Sequence, residues 1–264
     1  MADVDITFVE ACVPVVPMRD KAEERAEMVS QMLFGEIAGV VSATEKWFEV
    51  ETADGYCGWI DRKTVRPSLL SFSGAAYKNR PIVKSAFASF SSPSSDNCSL
   101  YLPMGSRIPD YQEDCGRFEF GNRHYILERG ELGATWWHSS EQCVRTAYQL
   151  VNTPYLWGGR NFMGIDCSGF VQLVYNINDV VLPRDAWQQA LKGKEILSLE
   201  DSLPGDLAFF GRPGGKASHV GILISPRTII HASGCVRIDK IDNRGIYTEK
   251  DNYTHQLMAV RRIK

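Results

Sequence analysis

The sequence predicts an α+β protein, because its strand-like and helix-like segments are grouped rather than alternating. The front of the chain consists of short runs rich in β-branched and aromatic residues, separated by turn formers such as Asp54 and Gly55. Beyond Gly133 the apolar residues first take helical spacing and then return to a strand pattern. A chain of 264 residues suits two or three compact domains.

Composition narrows the class of function. The formal net charge is −3, without a long run of either sign, which argues against a nucleic-acid-binding or polybasic membrane-surface protein. No stretch approaches the roughly 20 apolar residues of a membrane-spanning helix. The N-terminus lacks the basic and apolar regions of a signal peptide. We therefore expect a cytoplasmic protein, or a periplasmic or extracellular one if a leader has been removed.

The seven cysteines are scattered through the chain, without a CxxC pair or a zinc-like spacing. An odd and scattered set argues against a disulfide framework and against a structural metal site. We expect most of these cysteines to be buried small apolar side chains in a reducing compartment. The sequence indicates neither a cofactor nor a metal.

The front region is predicted to contain short strands at residues 13–18, 39–41, 46–51 and 56–60. In the last two of these runs the side-chain pattern alternates along the chain, as expected for a hairpin of a small barrel. Residues 21–34 have helical composition, although a long loop fits them equally. A second strand-rich region runs to Gly133 and contains a serine-rich connection at residues 91–97.

The back of the chain is predicted to contain two helices followed by strands. Residues 139–151 open with serines that can cap a helix, and their apolar residues keep helical spacing. A second helix is predicted from Cys167 onward, after a loop rich in glycine, with its apolar residues on one face. Residues 219–225 and 228–234 form two apolar runs that predict an antiparallel hairpin, and residues 258–263 predict a last strand.

Cys167 differs from the other cysteines because it lies at the N-terminus of the second predicted helix. Free backbone N–H groups and the positive end of the helix dipole favour a thiolate at such a position. A thiolate is the nucleophile of acyl transfer. A cysteine without this context would be interpreted as buried and inert, but the loop-to-helix junction favours the catalytic interpretation.

A thiolate nucleophile needs an imidazole as its proton partner. His219 begins one strand of the predicted hairpin and His231 lies near the end of the other, so pairing would let the second histidine orient the first. A metal site formed by Cys167 and these histidines is a weaker alternative, because neither HExxH nor a supporting acidic spacing is present. The remaining histidines are interpreted as surface or packing residues: His124, His138 and His255.

The stretches YLWGGRNFMGIDCSGFVQLVY, LPGDLAFFG, SHVGILI and IIHASG together resemble the NlpC-type family of papain-like cysteine peptidases. The resemblance covers roughly residues 135–264. It implies a papain-like domain in which Cys167 is the nucleophile, His219 the general acid and base, and His231 its orienting partner. It also implies that the N–H of Cys167 and the side chain of Tyr155 stabilise the oxyanion.

The front of the chain resembles bacterial SH3-like domains through QMLFGE and WFEVETADGYCGWI, followed by a divergent second copy. The resemblance implies SH3-like β-barrels at residues 1–70 and 71–134 before the peptidase domain at residues 135–264. This combination is similar to the gamma-D-glutamyl-L-diamino acid endopeptidases of murein recycling. Such enzymes cleave L-Ala-gamma-D-Glu from the diamino acid that follows and require a free N-terminal L-Ala.

In such enzymes an Asp beyond the Cys holds the substrate amine, with Arg before it and Ser after it. Arg184 and Asp185 match this pattern, whereas Ala186 stands in place of the Ser and lacks the hydroxyl for one substrate hydrogen bond. A buried carboxylate that meets an ammonium discriminates against substrates that leave it unpaired. Asp185 also fits a helix N-cap, and the two roles are compatible.

The same resemblance implies five further substrate contacts. Asp166 and Ser168 would contact the gamma-D-Glu portion, and Trp157 would form a wall of the pocket. Tyr56 would close the amine pocket from the first SH3-like domain, with Glu27 as a second acid there. Tyr56 fits equally well as a barrel aromatic without a role in binding.

Several functions stay open at this point. The predicted activity is hydrolysis of a gamma-D-glutamyl–diamino acid bond, through an acyl-thioester on Cys167, in murein-derived peptides by a monomer. The alternative is a broader peptidoglycan hydrolase whose SH3-like domains bind wall polymer. A non-enzymatic wall-binding module fits the complete Cys/His/His set less well, and an acyltransferase or amidase is a minor possibility. The sequence does not distinguish meso-diaminopimelate from lysine.

Overall fold

The computed structural model describes residues 6–93, 98–135, 139–248 and 252–264, with only the backbone of residue 98. The chain divides into two compact units, Met1–Thr135 and Trp136–Lys264. Within the described part of the chain, every helix is too short or too polar to cross a membrane. The predicted domain boundary at residue 70 stays a prediction.

One antiparallel sheet forms the first part of the front unit. Its strands are β1 (Phe8–Ala11), β2 (Val15–Arg19), β3 (Met28–Leu33), β4 (Ile37–Ala43), β5 (Trp47–Glu51), β6 (Cys57–Asp61) and β7 (Val65–Pro67). They pair in the order β3-β2-β6-β5-β4-β1-β7, and a 3-10 turn at Arg62–Thr64 precedes β7. Alternate side chains of these strands form one apolar core, which includes Val9, Val16, Met18, Val50 and Ile60.

The helical interpretation of residues 21–34 is wrong. The charged residues that give this segment its helical composition lie in a loop, where the Arg19 guanidinium donates a hydrogen bond to the Ala26 carbonyl at 2.8 Å. Residues beyond the loop form β3, which pairs with β2. Tertiary pairing therefore outweighs the local helix preference of the segment. The sequence analysis also missed β1, which pairs with both β4 and β7.

The second part of the front unit has smaller sheets. Its elements are α1 (Ala75–Lys78), β8 (Ile82–Val83), β9 (Phe87–Ser92), β10 (Cys98–Pro103), β11 (Arg117–Phe120), β12 (Arg123–Arg129) and β13 (Leu132–Gly133). The strand orders are β10-β9-β12-β11 and β13-β8. Aromatic side chains dominate the core, where the rings of Phe118 and Tyr125 stack with centroids 5.1 Å apart. Most of the predicted serine-rich connection, at residues 94–97, lies outside the described residues.

The back unit combines helices with a second antiparallel sheet. Its helices are α2 (Ser140–Tyr148), α3 (Cys167–Ile177) and α4 (Ala186–Gln189), with a 3-10 turn at Leu199–Asp201. Its strands are β14 (Arg160–Asn161), β15 (Gly164–Ile165), β16 (Lys194–Ile196), β17 (Leu207–Phe210), β18 (His219–Ser225), β19 (Thr228–Ser233), β20 (Cys235–Asp242), β21 (Gly245–Tyr247) and β22 (Tyr253–Arg262). The main sheet runs β16-β22-β17-β18-β19-β20-β21, and a further β22–β21 pairing closes β17 to β22 into a ring. The short strands β14 and β15 form a separate hairpin.

The helices, the hairpin and the last strand predicted for this unit are confirmed. Ser139 caps α2 by accepting a hydrogen bond from the Gln142 N–H. The central helix α3 was predicted to have one apolar face, but all of its residues except Asn176 are buried. The reason is that α2 packs on one side of α3 while β18 and β19 pack on another. A helix enclosed in this way fixes the position of its N-terminus firmly.

Burial of the cysteines differs from the expectation. Among the described cysteine side chains, Cys143 and Cys167 are buried, whereas Cys57 and Cys115 are exposed. The prediction that most cysteines are buried packing residues is therefore wrong for this set. Cys167 is one of the buried pair, so its environment sets its reactivity.

Candidate active site

Cys167 is the first residue of α3 and directly follows the β14–β15 hairpin. Asp166 is the N-cap of the helix, and its Oδ1 accepts a hydrogen bond from the Gly169 N–H at 2.7 Å. The loop before the cysteine needs glycine at residue 159, because a Cβ there would lie 2.3 Å from the Gly164 carbonyl oxygen. A capped helix start behind a tightly packed hairpin holds the thiol in a fixed place.

Burial controls the charge of the thiol. The side chain is 7% exposed, and burial, followed by the Asp166 charge, raises the pKa of Cys167 to about 11. Hydrogen bonds from the Val220 and Ser168 N–H groups and the charge of Arg184 act in the opposite direction but do not outweigh burial. Burial therefore opposes the thiolate that the helix N-terminus is expected to favour. The N–H groups are instead available to negative charge that forms during a reaction.

Val220 follows His219 in β18, and its backbone N–H donates a hydrogen bond to the Cys167 thiol. This bond places the thiol at the start of that strand. His219 Nε2 and His231 Nδ1 lie 2.8 Å apart, which confirms that the hairpin brings the two imidazoles together. The rings meet edge-on, with an interplanar angle of 84°. Because Nε2 of His219 is bonded to His231, Nδ1 is its nitrogen available to Cys167.

Burial favours the neutral form of both imidazoles. Burial, followed by the charges of His231 and His255, lowers the pKa of His219 well below its usual value. Burial also lowers the pKa of His231, although the hydrogen bond and charge of Asp239 offset part of this effect. A neutral His219 can accept a proton from a neutral thiol, which is the role of a general base.

Two residues that the sequence analysis missed extend this arrangement. His231 Nε2 lies 3.0 Å from Asp239 Oδ2, and Arg237 Nε lies 2.7 Å from the same oxygen. Asp239 is opposite Ile229 in the β19–β20 register, so its side chain shares a face with His231. The alternating polar residues of β20 were a signal of one face of the strand, but they do not specify its register with β19.

His255 is the third member of a histidine cluster. Its ring stacks on that of His219, with centroids 4.2 Å apart and an interplanar angle of 28°. We expected His255 to be a surface or packing residue. It is a packing residue, and its ring lies against the proposed general base. His124 is exposed and lies 3.0 Å from a Glu119 oxygen, whereas His138 lies outside the described residues.

A buried ion pair supports the start of α3. Arg184 is 2% exposed, and its Nη1 donates to Asp166 Oδ1 at 3.0 Å and to Ser168 Oγ at 2.9 Å. Asp166 Oδ2 accepts from Arg184 Nη2 and from the Gly158 N–H. The substrate contacts predicted for Asp166 and Ser168 stay predictions, and the structure places both side chains in contacts that position Cys167.

The residues predicted to border the pocket lie around this network. Burial, followed by the charges of Cys167 and Asp166, raises the pKa of Tyr155 to about 12, so its phenol stays a hydrogen-bond donor. Trp157 is 61% exposed, as a residue at an open wall can be. Asp185 is half-buried at the N-cap position of α4, and its N–H donates to Gln188 Oε1 at 3.2 Å. Its predicted contact with a substrate amine stays a prediction.

Comparison with known proteins identifies the unit that holds this arrangement. Residues 152–257 match the model of the NlpC/P60 family. This segment is an NlpC/P60 domain. Residues 18–65 match the bacterial dipeptidyl-peptidase SH3 domain. The two matches together confirm the predicted papain-like domain with an SH3-like β domain before it. That residues 71–134 form a second SH3-like barrel stays a prediction.

Two curated relatives align with most of the chain, and a third aligns with a shorter part of it. The gamma-D-glutamyl-L-lysine dipeptidyl-peptidase of Bacillus subtilis is 27% identical over 247 residues, covering 88% of this chain and 80% of that protein. The protein of the same name from Bacillus cereus is 27% identical, covering 78% of this chain and 67% of that protein. The probable endopeptidase NlpC of Escherichia coli is 39% identical over 101 residues, covering 38% of this chain and 65% of that protein.

A solved structure shows the same fold. The NlpC/P60 family protein from Bacillus cereus has a TM-score of 0.81 and 19% identity, covering 97% of this chain and 99% of that chain. The peptidase assignment comes from the NlpC/P60 domain and the curated dipeptidyl-peptidase relatives, which identify the chain as a cysteine peptidase.

Two predicted site residues belong to the front unit rather than to the NlpC/P60 domain. Tyr56 is half-buried and packs against the core of the first sheet, as expected of a barrel aromatic. Glu27 is exposed at the end of the loop before β3. Their roles in closing an amine pocket stay predictions.

Proposed function

We propose that this peptidase hydrolyses the bond between gamma-D-Glu and the following diamino acid in short murein peptides that carry a free N-terminal L-Ala. The observation that carries the proposal is the buried Cys167 thiol at the start of α3, which accepts a hydrogen bond from the N–H of Val220, the residue after the paired His219. Relatives named gamma-D-glutamyl-L-lysine dipeptidyl-peptidases support the substrate class, because their likeness extends over both units of the chain.

Acylation follows from the neutral thiol and imidazole. Cys167 Sγ attacks the gamma-carbonyl carbon of D-Glu while the thiol proton moves to His219 Nδ1. The tetrahedral intermediate collapses when the C–N bond breaks, and His219 returns the proton to the departing amine of the diamino acid. The product of this step is a thioester between Cys167 and L-Ala-gamma-D-Glu.

Deacylation uses the same groups in the reverse sense. A water molecule gives its proton to His219 Nδ1 as its oxygen attacks the thioester carbonyl carbon. Collapse of the second intermediate breaks the C–S bond, and the proton returns to Cys167 Sγ. L-Ala-gamma-D-Glu then leaves as a gamma-carboxylic acid, which gives its proton to solvent at neutral pH, and the thiol is regenerated.

Two kinds of donor stabilise the oxyanion in this scheme. The backbone N–H of Cys167 lies at the positive end of α3, and the Tyr155 phenol stays protonated because its pKa is about 12. Removal of one oxyanion donor typically costs about 10²–10³-fold in kcat. We therefore expect Tyr155→Phe to lower kcat in this range.

In this proposal the Asp185 carboxylate binds the free amine of the substrate. It follows Arg184, which is fixed by Asp166, so the backbone before the carboxylate is held in place. Ala186 is buried and offers no hydroxyl, so the amine meets Asp185 without the serine that the family pattern carries. Pairing of the Asp185 carboxylate with the substrate ammonium disfavours N-acylated peptides, which carry no such charge.

A mass-spectrometric time course tests this function. The substrates are L-Ala-gamma-D-Glu-meso-diaminopimelate, its L-lysine counterpart and the N-acetylated form of each, with Cys167→Ala as the control enzyme. The proposal predicts release of L-Ala-gamma-D-Glu from the free peptides only, and none with the variant. Equal cleavage of free and acetylated peptides would support the broader wall hydrolase, and no cleavage would overturn the proposal.

A further inference from the structure

Asp239 lies behind the histidine pair, on the side away from Cys167 along the hydrogen-bonded chain. The β19–β20 register puts Asp239 on the same face as His231, and Asp239 Oδ2 is 3.0 Å from His231 Nε2. The carboxylate is 10% exposed, whereas His231 is 1% exposed, so solvent does not compete strongly for either partner. Carboxylate, His231 and His219 thus form one continuous chain of short contacts.

The carboxylate determines which nitrogen of His231 carries the proton. An ionised carboxylate is only an acceptor, so a contact of 3.0 Å to Nε2 requires a hydrogen on that nitrogen. Although burial acts in the opposite direction, hydrogen bonds from Arg237 and His231 hold the pKa of Asp239 below its usual range. Since His231 is neutral, its Nδ1 is then a bare lone pair.

The state of His231 in turn determines that of His219. One hydrogen must lie between His219 Nε2 and His231 Nδ1, because the two atoms are 2.8 Å apart. His231 Nδ1 has none, so His219 Nε2 supplies it. The neutral His219 ring then has its lone pair on Nδ1, the nitrogen that faces the nucleophile in the proposed mechanism.

We propose that Asp239 is a positioning residue of the peptidase, whose carboxylate fixes the tautomers of His231 and His219 and thereby presents the His219 Nδ1 lone pair to Cys167. The inference rests on the proposed function, since it deepens the role of the same site. Asp239 also balances the positive charge that His219 acquires when it accepts the thiol proton. The carboxylate stabilises that charge through the hydrogen-bonded His231 and does not itself take up the proton.

Arg237 holds the carboxylate in this orientation. Its Nε lies 2.7 Å from Asp239 Oδ2 and its Nη2 lies 2.9 Å from Oδ1, which is a two-point contact. Such a contact restricts rotation of the carboxylate about its own axis. The guanidinium side chain is 44% exposed, so it can anchor Asp239 without placing an unscreened charge beside His231.

The charged and titratable groups around the histidine pair come from three other elements. Apart from the pair itself, on β18 and β19, they are Cys167 on α3, Arg237 and Asp239 on β20, and His255 on β22. A fourth element, β17, contributes the apolar side chain of Phe210, which packs against the His219 ring. Asp239 is the acid among these groups, and its contact is with His231 rather than with His255. Replacement of the Asp239 carboxylate by a neutral group therefore disfavours the protonated form of the histidine pair.

Three variants separate positioning from a structural role. Asp239→Asn keeps the size of the side chain but can bond to either tautomer of His231, because an amide both donates and accepts. Asp239→Glu restores a carboxylate at a longer reach. Asp242→Asn is the matched control, because Asp242 lies on the same strand and bonds to the Arg244 N–H rather than to a histidine.

The test is to measure kcat and KM of each variant as a function of pH, with L-Ala-gamma-D-Glu-meso-diaminopimelate as the substrate. Asp239→Asn is expected to lower kcat roughly 10- to 100-fold, as is typical for groups that orient a functional imidazole, while KM changes little. The acid limb of the kcat profile moves to lower pH, Asp239→Glu recovers part of the activity, and Asp242→Asn keeps the wild-type profile. A uniform fall in kcat without movement of the acid limb would overturn the positioning role.

Long-range ¹H–¹⁵N spectra of the histidine rings give a readout that does not depend on turnover. The wild type is expected to carry its ring protons on Nε2 of both His219 and His231, and Asp239→Asn is expected to mix the tautomers. Unchanged tautomers in Asp239→Asn would overturn the inference. If the wild type cleaves no murein peptide, the proposed function fails, while these spectra still decide the role of Asp239.

Discussion

Gly221 on β18 and His231 on β19 lie directly opposite each other, and the missing side chain of the glycine makes room for the histidine. A Cβ at Gly221 would lie 2.8 Å from His231 Cβ and 2.7 Å from Ile229 Cδ1. The 2.8 Å contact between His231 and His219 therefore depends on glycine at this position of the neighbouring strand.

Gly221→Ala is accordingly expected to impair catalysis more than folding. Displacement of His231 breaks the alignment of the imidazoles, which should lower kcat roughly 10- to 100-fold. The free energy of unfolding should fall by about 1–3 kcal/mol, the usual cost of overpacking. Steady-state kinetics and urea denaturation check the two values. Gly133→Ala is the control, because a Cβ at that residue would lie no closer than 3.5 Å to its nearest neighbour, the Lys84 side chain. A wild-type kcat in Gly221→Ala would contradict the argument.

The ion pair between Arg184 and Asp166 is expected to stabilise the peptidase domain strongly. Arg184→Met leaves the buried Asp166 carboxylate without its partner, which should cost about 3–5 kcal/mol of unfolding free energy. Arg227→Met is the matched control, because the Arg227–Glu200 pair is exposed and should contribute at most about 1 kcal/mol. Equal urea midpoints for the two variants would show that burial does not distinguish the pairs.

The thiol of Cys167 is expected to be neutral at physiological pH. The ultraviolet absorbance of a thiolate, taken as the difference between wild type and Cys167→Ala, should appear only above about pH 9, because burial raises the pKa of the thiol to about 11. The difference spectrum cancels the contributions of the exposed Cys57 and Cys115. Thiolate absorbance already present near neutral pH would show that an ion pair with His219 forms before substrate binds.

Asp185 is expected to determine the preference for a free amine. Asp185→Asn removes the charge that pairs with the substrate ammonium, so kcat/KM for L-Ala-gamma-D-Glu-meso-diaminopimelate should fall roughly 30-fold or more, equivalent to about 2 kcal/mol. The ratio of kcat/KM between the free and N-acetylated peptides should approach one. An unchanged ratio would assign the preference to another group and leave Asp185 as the N-cap of α4.

Local patterns in the sequence were sufficient to predict where Cys167, His219 and His231 lie in the fold. Asp166 caps the helix that starts at Cys167, and the strand pattern around His219 and His231 predicts the pairing that brings their rings together. Both relationships join residues that are near neighbours in the chain or in one hairpin. Capping and strand pairing of this kind leave a readable signal in sequence.

Other features depend on tertiary packing and left no such signal. Burial of α3 reverses the effect of its dipole on the pKa of Cys167. The stacking of His255 on His219 follows from the position of β22 beside β17, which the sequence pattern does not specify. The β19–β20 register, which places Asp239 against His231, is likewise fixed by pairing rather than by composition.

An aldehyde analogue tests the central claim most directly, namely that Cys167 attacks the gamma-carbonyl of an L-Ala-gamma-D-Glu unit. The probe is L-alanyl-D-glutamic gamma-semialdehyde labelled with ¹³C at the aldehyde carbon, observed by NMR with wild type and with Cys167→Ala. The account predicts a hemithioacetal resonance with the wild type, its loss in the variant, and none with the N-acetylated probe. A wild-type spectrum that shows only the free aldehyde and its hydrate would contradict the account.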